Sequence, residues 1–366
     1  MGRIGVLDGL RGWCLVFMMI THLHVNGAYL LGYLHFNQIT FADSAQAFIF
    51  LSGLLVGLIG VKQQGREGTG AVAGRFWRRA LELYAWHLAL LLLVLALAWM
   101  VPAGWFAWRD WLQHLLVQGG PYVGATATLL YQPTYLDILP QYILYLLAAP
   151  ALVHLVAKGR AGLVLALSLG AWLAVQLGLD APLAAWLQEQ VRFSGQAITL
   201  RTAFNPLAWQ LLFVVGLVLG GLLARGELPV ERLLTRRGRM LGEVVLGLLA
   251  LTMAVRLLVH LGVDDPAWLE RLQPFEDRQS LALLRLLSFA GVAYLTAWLL
   301  ASAPASERPW LRQAGTMAQR VLGHPWLARI GRHSLPVFAF HVVIVYLLRL
   351  LDTKVGGIPD PWYSAL

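Results

Sequence analysis

Arg11 and His22 are the residues whose types and spacing point to chemistry in this chain. Eleven positions apart on a helix, they return to nearly one face, offset by about 20° and separated by roughly 16 Å. A neutral histidine has its unperturbed pKa near working pH, so it can take a proton from a hydroxyl or return one. The other reading of His22 is a buried histidine bonded to a neighbouring helix. Arg11 carries a permanent charge on a planar fork suited to phosphate groups, such as those of coenzyme A. Its plainer role is a surface anchor paired with Asp8 at i−3. An ionisable side chain inside a membrane helix is costly and marks a functional site by default. The elements around the pair decide whether it lies in a membrane.

Composition answers that. The chain has 366 residues, of which 58% are hydrophobic and only 13% charged, against about 25% charged in soluble domains. Apolar segments of crossing length recur at 12–32, 43–61, 80–101, 138–157, 160–178, 204–224, 240–262, 281–303 and 333–351, each near the ~20 residues a span needs. The expected fold is all-α: one polytopic transmembrane helical bundle over residues 1–366, with nine or ten spans. The N-terminal segment shows no small-residue cleavage site and is read as a retained first span. The single cysteine, Cys14, permits no intramolecular disulfide.

The net charge of +9 does not point to nucleic acid. The basic residues fall in short loops rather than on one face, and clustering is what carries that signal. Lys62 to Arg79, Lys158 and Arg160, Arg225 to Arg239, and Arg308 to Arg332 follow alternate spans. The intervening loops (33–42, 102–137, and the segment holding Asp264, Asp265, Glu270, Glu276 and Asp277) are poor in net positive charge. The positive-inside rule therefore places the N-terminus in the cytoplasm and these loops outside. Two outer pieces, Trp111-Leu-Gln-His-Leu-Leu-Val and Ala184-Ala-Trp-Leu-Gln-Glu-Gln-Val, are amphipathic and suit the interface.

Further candidates for substrate contact are Asp8, Asp43, Ser52, Asp137, Arg256 and Arg285. Asp43 opens the second span, and Ser52 lies within it without an identifiable base, which argues against a nucleophile. Gly53 and Gly57, four apart, make a small-residue face for close helix packing. Asp137, beside Tyr135, suits sugar hydroxyls or a helix cap. Arg256 and Arg285 suit a carboxylate or a developing oxyanion, or else snorkel to the outer interface. His87 and His341 are expected to be core histidines, and Glu82 a partner of Arg78 or Arg79. His22 and His24 point to different faces and no ligand cluster completes a site, so no metal is assigned.

Three motifs add a resemblance. Leu7-Asp-Gly-Leu-Arg-Gly12, the histidine ten residues beyond Arg11, and Phe48-Ile-Phe-Leu-Ser-Gly53 resemble the acyltransferase 3 superfamily. Together with Pro133-Thr-Tyr-Leu-Asp137-Ile-Leu-Pro140 and Ser334-Leu-Pro-Val-Phe338, the chain most resembles the OpgC family. The resemblance implies a multi-pass protein of the bacterial inner membrane that moves an acyl group, succinyl in this family, from cytoplasmic acyl-CoA to hydroxyls of an osmoregulated periplasmic glucan. His22 carries over as the catalytic residue, acting as base or acyl carrier, and Arg11 as its paired motif residue facing the donor. The implied partners are succinyl-CoA as donor co-substrate, the glucan and the bilayer, with no bound cofactor. Two other readings remain: a transporter or flippase that moves a glycan or acyl intermediate unchanged, and an acyltransferase acting on another surface glycan. The lack of matched, Gly/Pro-interrupted halves weighs against transport.

Overall fold

The computed structural model describes residues 5–22, 40–193, 195–260, 266–301 and 306–355. Within them the chain is a helical bundle. In order the helices are α1 (Gly5–His22), α2 (Ser44–Glu67), α3 (Thr69–Met100), α4 (Pro102–Ala107), α5 (Arg109–Gln118), α6 (Gly120–Ala127), α7 (Ile138–Ala157), α8 (Ala161–Gln176) and α9 (Ala181–Gln190). They continue with α10 (Pro206–Arg225), α11 (Arg236–His260), α12 (Pro266–Glu276), α13 (Leu283–Ala301), α14 (Pro309–Leu322), α15 (Pro325–Arg332) and α16 (Ser334–Val355). A two-residue hairpin, Arg192–Phe193 against Gln196–Ala197, is the only sheet among the described residues.

Seven of these helices (α2, α3, α7, α10, α11, α13 and α16) are long and apolar enough to cross a membrane, or eight if α8 and α9, bent by 80° at their junction, form one span. Hydrocarbon forces this architecture, because only internally hydrogen-bonded helices satisfy their backbone there. Each segment expected from hydropathy has its helix. The first, expected at 12–32, is described only through His22; its remainder, residues 33–39 of the next loop, His24, Asp264 and Asp265 lie outside the described residues.

Two boundaries differ from expectation. The basic stretch after the second span is helix rather than loop: α2 and α3 are separated by Gly68 alone, at φ +83°, a conformation that glycine adopts without steric cost. At 32 residues α3 is about 48 Å long, more than the ~30 Å hydrocarbon core. Its first turns, with Arg75, Arg78 and Arg79, have length to spare beyond that layer. The 102–137 stretch and the segment after α8 are also largely helical, and α5 and α9 contain the two amphipathic pieces.

Glycines set the two tightest contacts. Gly53 and Gly57 of α2 face the carbonyls of Phe213 and Leu217, while Gly216 and Gly220 of α10 face those of Phe50 and Leu54. A Cβ at any of the four would overlap backbone, so the two helices meet backbone to backbone. The same device seats α1. Gly9 and Gly12 lie against the carbonyls of Leu322 and Leu327, and Gly331 lies against that of Asp8. The alternation of Gly with Asp8 and Arg11 in the N-terminal motif thereby gives α1 one flat side for α14 and α15, which fixes where Arg11 and His22 point.

Candidate active site

A polar cavity of about 500 Å³ opens between the end of α1 and four connecting segments. Thr21 and His22 come from α1, Thr40, Asp43 and Ser44 from the entry to α2, and Gln132, Thr134, Tyr135 and Asp137 from the α6–α7 connection. Arg201 and Phe204 precede α10, and Arg256, Arg278 and Arg285 come from α11, the α12–α13 turn and α13. Segments expected on the outer side thus converge on one cavity. The opposite ends also meet: Arg225, the last residue of α10, donates to the carbonyls of Val156 and Ala157 at the end of α7.

Asp43 organises the cavity's charge. It is the N-cap of α2, accepting from the Gln46 N–H at 3.0 Å, while the Gln46 side chain accepts from the Asp43 N–H at 2.8 Å. This reciprocal capping leaves the second carboxylate oxygen for Arg278, whose Nε donates at 2.9 Å, with Arg285 Nη1 4.0 Å away. Burial pushes the Asp43 pKa up, but the Arg278 guanidinium and the Gln46 N–H outweigh it, and the carboxyl stays below the usual range. Arg278 is raised in turn: burial lowers it, and Asp43 more than compensates.

The sign of the resulting pH effect is definite. A carboxylate depressed on folding stabilises above its unfolded pKa and loses that stabilisation as pH falls through its folded value. Asp43→Asn is expected to be about 1–3 kcal/mol less stable than wild type near pH 7. Thermal unfolding in detergent should show that gap closing on acidification; a gap independent of pH would discard the ion pair as its source.

The other arginines have different partners. Arg285 donates from Nη1 to the Phe41 carbonyl at 3.2 Å and from Nε to that of Glu276. Arg256 lies 4.0 Å from the Glu276 carboxylate and 4.8 Å over the Phe41 ring. Both line the cavity, an alternative to snorkelling outward. Arg201 donates to the Thr134 hydroxyl at 3.2 Å. Among the described residues it forms no salt bridge within 4 Å. Among the described residues lining the cavity, four guanidiniums therefore face two carboxylates, Asp43 and Asp137, while Glu276 and Asp277 stand near Arg256 and Arg285 outside that lining.

Asp137 sits at the N-cap position of α7 without a side-chain capping bond. Burial raises its pKa against the opposing charge of Arg278. Tyr135, two residues before it, holds φ at +69°, a strained value for an aromatic residue. Its ring lies 4.5 Å from that of His22 and 4.9 Å from that of Trp111. The loop is pinned from α16, where the Tyr346 hydroxyl donates to the Thr134 carbonyl at 3.0 Å.

His22 Nδ1 lies 3.1 Å from His341 Nε2, with the rings stacked at 5.3 Å. His341, expected as a core histidine, is buried outside the cavity lining and touches the site only through His22. His87 does behave as a core residue, with Nε2 3.1 Å from the Thr126 carbonyl, and Glu82 pairs with Arg79 at 2.6 Å.

Arg11 does not reach the large cavity. Its Nη2 donates to the Ser334 hydroxyl at 2.7 Å and the guanidinium lies 5.5 Å over Phe48. A gap of about 20 Å³, bordered by Phe48, Arg79, Tyr142, Ser334 and Phe338, lies beside that pair. Asp8 and Ser52 are both buried and outside the cavity lining, and the Ser52 hydroxyl has no hydrogen-bond partner among the described residues.

Arg201 and Arg278 are cavity residues that sequence reasoning did not single out, and His341, read only as a core residue, meets the site through His22. The first two read as ordinary outer-loop charges. For His341 a signal existed: it stands seven residues, nearly two turns, beyond Ser334. Ser334 and His341 thus share a face of α16, as Arg11 and His22 share one of α1.

Comparison with known families covers nearly the whole chain. The family model described as OpgC protein matches residues 3–365. No match was found among curated proteins or among solved structures. A multi-pass helical bundle matched by that family from end to end, the chain belongs to the OpgC family and has a glucan-modifying role of the acyltransferase type.

Proposed function

We propose that the protein transfers a succinyl group from cytoplasmic succinyl-CoA to hydroxyls of a periplasmic glucan across the bacterial inner membrane. The observation that carries this reading is His22 opening onto a polar cavity with surplus positive charge. A sugar hydroxyl is a weak nucleophile at neutral pH, and a base that removes its proton during attack contributes about 10²–10⁴-fold. His22 is that base. The guanidinium of Arg201 suits the free carboxylate of the succinyl group, and Asp137 and Gln132 suit the sugar hydroxyls. The oxyanion formed on the thioester carbonyl is stabilised by the same positive field.

Arg11, roughly 16 Å along α1 from His22, takes the donor's phosphates at the cytoplasmic end. The donor arm then runs beside α1, where Phe48, Tyr142 and Phe338 border the small gap and must part. The test uses sealed membrane vesicles containing the protein, with labelled succinyl-CoA on the cytoplasmic side and neutral glucan on the other. Label should appear on the glucan as an alkali-labile ester. Glucan that crosses without gaining label would replace this reading with transport.

A further inference from the structure

Behind His22, outside the cavity lining, stands a second histidine that the reaction above does not use. The geometry points to His341 as the positioning residue of that reaction: its Nε2 accepts the Nδ1–H of His22 and so sets the tautomer in which His22 Nε2 is the base. The inference rests on the acyl-transfer reading and deepens it.

A neutral imidazole carries one N–H and one acceptor nitrogen, and the hydrogen bond at one nitrogen decides the state of the other. The contact at 3.1 Å joins His22 Nδ1 to His341 Nε2, so one of the two atoms holds the shared proton. If His341 donates, His22 Nε2 carries the remaining proton and is no base. If His22 donates, its Nε2 has the lone pair that base catalysis needs, and His341 must then be protonated at Nδ1. Base catalysis by His22 requires this second arrangement, which leaves the His341 Nδ1–H buried without a hydrogen-bond partner among the described residues. Phe338 packs edge-on against the His341 ring at 4.8 Å, which restrains its rotation.

During transfer the acceptor's O–H proton passes to His22 Nε2 while its oxygen forms the new C–O bond to the thioester carbon. The C–S bond then breaks, and the departing thiolate takes that proton back from Nε2. Nδ1–H stays on His22 throughout, and His341 receives its hydrogen bond in both the neutral and the cationic states. A buried carboxylate serves the same purpose in serine hydrolase triads; here the acceptor is neutral, which suits a low-dielectric location.

The test compares full-length wild type, His341→Leu, His341→Gln, His22→Gln and the His22→Gln/His341→Leu double variant. All are assayed in membrane vesicles with succinyl-CoA and neutral glucan isolated from a strain lacking the protein. Loss of a partner that orients a functional histidine costs about 10–100-fold. His341→Leu should lower kcat by that factor with KM for succinyl-CoA unchanged. His341→Gln, whose side-chain oxygen can accept from Nδ1–H, should stay within about 10-fold of wild type. The double variant should be no slower than His22→Gln alone, as expected for residues acting as one unit. If His341→Leu does not extract as monodisperse protein, the glutamine variant decides. Wild-type kcat in His341→Leu, additive losses in the double variant, or a folded His341→Gln with activity lost would each overturn the inference. A wild type that transfers no acyl group at all overturns the acyl-transfer reading, and this inference with it.

Discussion

His22→Ala is expected to lower glucan acylation by about 10²–10⁴-fold, the range supplied by a positioned base. Folding should be spared, because α1 is seated through Gly9 and Gly12 against the α14–α15 segment rather than through its C-terminal end. The side chain lost is partly exposed to the cavity, so its removal opens no sealed void in the core. Periplasmic glucans from a deletion strain complemented at matched expression provide the readout by anion exchange. Wild type should restore anionic glucans and His22→Ala should leave them neutral. If both restore them, base catalysis belongs to another residue.

Arg201→Gln should have the next largest effect, and it should fall on the acyl group rather than on the chemistry. Arg278 and Arg285 are committed to Asp43 and backbone carbonyls, and Arg256 to Glu276 and the Phe41 ring. Arg201 has a hydroxyl partner instead. Truncating one member of a desolvated, hydrogen-bonded charge pair costs about 2–5 kcal/mol, roughly 30- to several-thousand-fold in kcat/KM for succinyl-CoA. A donor without a free carboxylate, such as acetyl-CoA, should lose far less. The ratio of the two kcat/KM values is the measurement. An equal fall for both donors would remove Arg201 from acyl recognition.

The architecture was legible in the sequence because hydrocarbon leaves few alternatives. A run of about twenty apolar residues must be a helix, and every expected segment has one as far as it lies within the described residues. Charge alternation separated the loops that meet around the cavity from the basic ones, since Lys and Arg are costly to translocate. The Gly53 and Gly57 spacing announced a close packing face, although not its partner. Gly216 and Gly220 of α10 supply it, and only the tertiary structure could match two glycine pairs more than 150 residues apart. Helix ends were read less well, because hydropathy marks where a segment becomes apolar and not where its backbone hydrogen bonding begins. The α2–α3 turn, reduced to Gly68, shows the difference.

At the site, the sequence by itself determined the Arg11–His22 pair, because both lie on one helix whose periodicity ties them together. Only the tertiary structure decided what each of them meets. Ser334 and His341 reach them from α16, more than 300 residues later, as two contacts along one helix seam. In the sequence Arg256 and Arg285 stood out as charges within apolar spans, while Arg201 and Arg278 did not. Their roles separated once folding brought Asp43, Glu276 and Thr134 beside particular guanidiniums, because the function of a charge depends on which opposite charges neutralise it, and that is a matter of distance in space rather than position in the chain.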